Sequence, residues 1–64
     1  MDFTLTFYFL NKLREVKGRI HKNDRTGEVV FTSNDNWVED LPLVQFKDKL
    51  DGYEILKLKE LGWL

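Results

Sequence analysis

The sequence predicts a small α+β domain, with an antiparallel sheet of three to four strands in the order β-β-β-α-β and one helix packed on one face. Three observations carry that expectation: strict apolar alternation over residues 2–9, a turn-forming run at 23–27 between two β-rich stretches, and apolar residues spaced by three and four after the single proline. They belong to one domain, residues 1–64, because a chain this short buries only about 60% of the surface its unfolded form exposes.

Phe3, Leu5, Phe7 and Phe9 fall on one side of the first segment and Thr4, Thr6 and Tyr8 on the other, which predicts a strand. Only Asp2 guards this segment of high β-propensity, so it should pair on both edges or be covered. Residues 10–22 fit two periods. A strand from about 14 to 22 puts Val16, Gly18 and Ile20 on one face and Lys17, Arg19 and His21 on the other, whereas a helix lines up Phe9, Leu13, Val16 and Ile20. The strand is preferred, because Asn23-Asp24-Arg25-Thr26-Gly27 has turn chemistry and Glu28–Thr32 reads as the second arm of a hairpin.

Residues 33–40 form a polar loop around Trp37. A helix should follow, capped by Asp40, with Pro42 in its first turn and Leu43, Phe46 and Leu50 on its buried side. Asp51-Gly52 should end it, Gly52 taking a left-handed conformation. Tyr53–Leu61 then reads as a last strand with Leu56 and Leu58 inward, and a short helix through Ile55, Leu58 and Leu61 is the rival reading.

Aromatic residues make up 14% of the chain, enough to fill most of a core without disulfides, and with no cysteine thiolate chemistry is excluded. No apolar run approaches the roughly 18 residues of a membrane span, and Phe3–Leu10 lacks the basic flank of a signal peptide, so no membrane partner and a cytoplasmic location are expected. His21 is the one histidine and Ser33 the one serine, while the glycines are too scattered for a phosphate loop. The carboxylates near Asn34, Asp35 and Asn36 put Trp37 or Val38 where a calcium loop needs ligands. Neither a cofactor nor a metal nor enzyme activity is expected.

Charge is sorted along the chain: six of the ten Lys/Arg lie in residues 12–25, and residues 28–40 hold four carboxylates and no cation. The plainer account is a solvated hairpin face. The functional account is a protein-interaction module, an inhibitor or regulatory subunit that docks through an exposed sheet face or edge strand, in which Tyr8, Trp37 and Trp63 anchor the partner while Arg14, Lys17, Arg19, His21 and Arg25 orient it. Two alternatives stand beside it. The basic hairpin 12–25 can bind nucleic acid through phosphates, and the chain can be a structural subunit of a homo-oligomer such as a dimer. Trp63 should dock, either within the monomer or across that dimer.

Overall fold

Alternation along the first segment becomes strand β1 (Asp2–Phe9), which turns directly into β2 (Lys12–Lys22). The computed structural model describes all 64 residues. β3 (Val29–Ser33) and the two-residue β4 (Leu41–Pro42) complete one antiparallel sheet in the order β1-β2-β3-β4. Helix α1 (Leu43–Phe46), a 3-10 turn (Lys47–Lys49) and helix α2 (Gly52–Glu60) follow. The fold is thus α+β, strands first and helices after.

The first hairpin has the shortest loop a hairpin can carry comfortably. Phe9 pairs with Lys12, and Leu10 and Asn11 between them have φ of 53° and 61°, the left-handed values a type I′ turn requires. Asn tolerates this backbone, but leucine adopts it only at a cost, because its Cβ crowds the following carbonyl. The second hairpin follows the sequence-based expectation closely. Asn23 Oδ1 accepts the N–H of Arg25 at 2.8 Å, the Asn23 carbonyl accepts that of Gly27, and Gly27 sits at φ 76°.

The two hairpins differ in reach. β1 pairs with β2 along eight residues, from Asp2↔Arg19 to Phe9↔Lys12, whereas β3 pairs only with Gly18–Lys22. Lys17 O still accepts the Asn34 N–H at 3.0 Å, and beyond it residues 12–16 of β2 pair with β1 alone, ending in a two-stranded arm. At its root, β2 and β3 approach closely where Gly18 faces Ser33, with the Phe31 ring over the glycine.

Phe3, Leu5, Ile20, Phe31, Phe46, Leu50 and Leu58 form the core on one face of the sheet. Rings of Phe3, Phe31 and Phe46 meet in a triangle with centroids 5.6–6.0 Å apart. Two of its contacts are edge-on, the arrangement that ring quadrupoles favour.

Three elements differ from the sequence reading. β1, expected to pair on both edges or be covered, is an edge strand that pairs with β2 alone. The helix expected from Asp40 to Leu50 is one α turn and one 3-10 turn, because Leu41 and Pro42 are taken by pairing with Phe31 and Val30. Asp40 does not cap it. Its backbone stands at φ 49°, its N–H donates to Thr32 Oγ1 at 3.2 Å, and Pro42 takes the cap position with no side-chain bond.

The final segment is a helix rather than a strand. Asp51 Oδ1 accepts the Glu54 N–H at 2.7 Å and Glu54 Oε1 accepts the Asp51 N–H at 3.0 Å, a reciprocal capping box that satisfies two donors at the helix start. Gly52 is consequently the first residue of α2 instead of the end of a preceding helix. The left-handed glycine is Gly62, at φ 75°, where the N–H groups of Gly62 and Trp63 return to the carbonyls of Lys59 and Leu58 in a Schellman closure. Lys57 and Lys59 in the last turn complement the helix dipole. This closure folds Trp63 back against the core, so it docks within the monomer.

Candidate functional site

Strand alternation and register divide the candidate residues between two faces of the sheet. Residues directly opposite in an antiparallel pair project to the same side. Phe7 opposes Arg14 and Phe9 opposes Lys12, which places all four on the core-side face. The outer face carries Tyr8 opposite Leu13, Thr6 opposite Glu15, Thr4 opposite Lys17 and Asp2 opposite Arg19, and it continues to His21.

Lys17, Arg19 and His21 thus come together, as alternation predicts. His21 Nε2 lies 2.9 Å from Thr32 Oγ1, and with Arg19, Thr32, Ser33 and Asn34 it lines a shallow polar hollow. Asp2 stands 3.9 Å from Arg19 on the same face, both side chains largely in water, so this pair adds little energy. Arg14 is not part of that cluster but lies across the sheet from it. Arg25 is apart again, at the exposed β2–β3 turn. The basic run of the sequence is therefore three separate groups.

The apolar candidates separate in the same way. Trp37 stacks on Phe7 with centroids 5.7 Å apart and planes 29° off parallel, and it meets Phe9 edge-on at 6.3 Å. It remains more than half exposed, so the indole both covers the core edge and presents a face to solvent. Beside it an apolar groove runs between Leu5, Phe7, Val38, Leu41 and Phe46. Trp63 does not line this groove and borders a separate hollow with Val29, Pro42, Leu43 and Val44. Tyr8 projects from the other side of the arm.

The arm carries apolar surface on both faces. Leu10 and Tyr8 are each 77% exposed and Leu13 58%, with Phe9 and Trp37 behind them and Lys12 and Arg14 at the rim. Phe9, Leu10 and Leu13 were not among the candidates the sequence suggested. The signal for them is positional: eight alternating residues, a gap of two, then a second strand. The usual glycine of such a turn is missing at Leu10-Asn11, and this hides the hairpin.

Trp37 is held in place by a knot around Ser33, a buried residue. Ser33 Oγ donates to Asp35 Oδ1 at 2.7 Å and accepts the Val38 N–H at 2.9 Å, while Asp35 Oδ1 also accepts the Trp37 N–H at 3.1 Å. The Ser33 hydroxyl and the Trp37 N–H hold the Asp35 carboxyl below its usual value of 3.8. A carboxyl whose pKa is lowered by folding stabilises the fold above its ordinary pKa, and that contribution is lost as pH falls through the lowered value. In a Trp63→Phe background, Trp37 emission should therefore shift to the red as acidification passes below the ordinary carboxyl value of 3.8 and through the lowered one. Asp35→Asn should show the shift already at neutral pH. Emission that ignores both changes would detach Asp35 from the placement of Trp37.

No helix of the structure is long and apolar enough to cross a membrane. No protein-family model matches the chain, and neither a curated protein nor a solved structure matches it.

Proposed function

We propose that this protein is a small non-enzymatic interaction module, an inhibitor or regulatory subunit, that docks on a protein partner through the tip of the β1–β2 arm. The observation that carries the reading is Leu10. It occupies a left-handed position that costs leucine about 1–2 kcal/mol, and it is among the most exposed large apolar residues, where Asn or Gly would stabilise the fold. Local strain at an exposed apolar residue is of no use to the monomer, and such conflicts concentrate at functional positions. Tyr8, Leu13 and Trp37 extend the apolar contact, and Lys12 and Arg14 favour a groove with an acidic rim. The cytoplasm is the compartment proposed for this encounter.

Leu10→Asn tests the reading because stability and binding should move in opposite directions. Its urea midpoint should rise by the equivalent of about 1 kcal/mol. In affinity capture from host cells with mass spectrometry, a protein retained by the unaltered chain should be lost with Leu10→Asn and with Tyr8→Ala. The same partner recovered in equal amount by both variants would eliminate the arm as its site.

A second reading rests on Lys17, Arg19 and His21, which alternation gathers on the outer face beside the polar hollow. Such a ribbon face suits nucleic-acid phosphates. Nuclease treatment during capture and titration of DNA and RNA at low salt test it, and absence of binding at low salt would end it.

A further inference from the structure

We propose that β1 pairs with β1 of a second copy of this chain, antiparallel about a two-fold axis at Leu5, to form one continuous eight-stranded sheet. This inference concerns the backbone edge of β1 rather than the arm tip and does not depend on the partner proposed above; Tyr8 is common to both, and the variants used below leave it in place.

The hydrogen-bond phase of the first hairpin identifies what the free edge offers. Met1 and Ile20 exchange both bonds, N–H of Ile20 to O of Met1 at 2.8 Å and N of Met1 to O of Ile20 at 2.9 Å. In an antiparallel ladder such pairs alternate, so Phe3, Leu5, Phe7 and Phe9 direct their backbone groups to β2. Asp2, Thr4, Thr6 and Tyr8 direct theirs outward, and β1 ends the sheet. Four donors and four acceptors lie unpaired along a strand about 27 Å long.

This edge has no guard, unlike the others. β4 is two residues long and ends in Pro42, and the unpaired part of β2 carries Lys12, Arg14 and Glu15. Along β1 the single charge is Asp2, and there is no lysine, proline or bulge to deter pairing.

The sequence selects the register. With Leu5 on the axis, Thr4 faces the second copy's Thr6 and Asp2 faces its Tyr8, so every outward donor and acceptor finds a partner and the ladder is as long as the strand allows. The Tyr8 hydroxyl can donate to the Asp2 carboxylate, and the two aspartates stand at opposite ends. On the core side Phe3 faces Phe7 across the axis. A shift by two residues in either direction leaves outward groups unpaired. The resulting two-fold dimer is isologous and closed, and it places the two arms at opposite ends.

Sedimentation of the full chain should give twice its 7.7 kDa mass at tens of micromolar. Thr6→Pro removes an outward N–H that the monomer does not use, and it should sediment at 7.7 kDa with an unchanged far-UV spectrum. Should proline disturb the strand, Thr6→Lys is the second variant and should be monomeric as well. Because the chain has no cysteine, the register can be read directly. Oxidation of a mixture of Thr4→Cys and Thr6→Cys chains should cross-link them to each other, and neither should cross-link alone. A single-chain mass up to about 500 µM, or a dimer that survives Thr6→Lys, would overturn the pairing. Cross-linking of Thr6→Cys alone as fast as in the mixture would overturn the register.

Discussion

Gly18→Ala should destabilise the protein by about 3 kcal/mol or more, a large part of the roughly 3–10 kcal/mol available to a chain of this length. The cause is the close passage of β2 over β3 at the root of the arm. A Cβ at Gly18 would strike the Thr32 carbonyl oxygen, come within 2.6 Å of Ser33 Cα and within 2.8 Å of Phe31 Cζ. Two of those obstacles are backbone and the third is a ring that is fully buried, so none can step aside as a flexible surface chain would. Relief requires β3 to move from β2, which loosens the Ser33 knot and, through it, the loop that holds Trp37. Gly52→Ala is the control. Nothing lies within 4 Å of a Cβ there, and alanine at the start of α2 should stabilise by a few tenths to about 1 kcal/mol. Urea unfolding of both variants checks the contrast. A Gly18→Ala midpoint close to that of the unaltered chain would mean that β2 and β3 are not so tightly apposed.

How much of this was legible in the sequence depended on whether one periodicity prevailed. β1 was plain, because alternation from Phe3 to Phe9 has no helical rival, and the turn at 23–27 announced itself through Asn23 and Gly27. α2 was obscured by Leu56 and Leu58, whose spacing of two imitates a strand, although Leu56 is exposed and only Leu58 is fully buried. The deciding signals were short-range ones, Asp51 with Glu54 three residues on, and Gly62 after the last lysine. Asp40 had the chemistry of a cap, but pairing of Leu41 and Pro42 with β3 took the position it needed.

The candidate site was less legible for a related reason. The run of cations at 12–25 is continuous in sequence, yet a strand deals successive residues to opposite faces. Lys17, Arg19 and His21 share one parity and came together, while Arg14 shares the other and did not. Leu10 could not be recognised at all, because the role proposed for it rests on a backbone conformation that leucine rarely adopts.

Phe46→Ala should cost about 3–5 kcal/mol, the range for truncating a buried phenylalanine to alanine, and abolish the near-UV circular dichroism of the core. Phe46 is fully buried, with its ring 5.6 Å from that of Phe3 and 6.0 Å from that of Phe31. It is also the one buried residue of α1, a single turn that has no side-chain cap and is too short to persist without tertiary support. Removing the ring opens a cavity between the sheet and the helical segment and releases the connection that carries Leu50 and α2 onto the core. Phe46→Leu, which fills much of the volume, should cost markedly less, and Val44→Ala in the same turn should cost almost nothing because Val44 is exposed. The series separates packing from helix propensity, since alanine is the better helix former at both positions. A loss at Phe46→Ala no larger than at Val44→Ala would mean that α1 is not anchored through this ring. With Phe46→Leu the binding proposed for the arm should persist, because Leu10, Tyr8 and Leu13 lie on a hairpin whose pairing extends beyond β3, so that core packing and the proposed docking can be weakened independently.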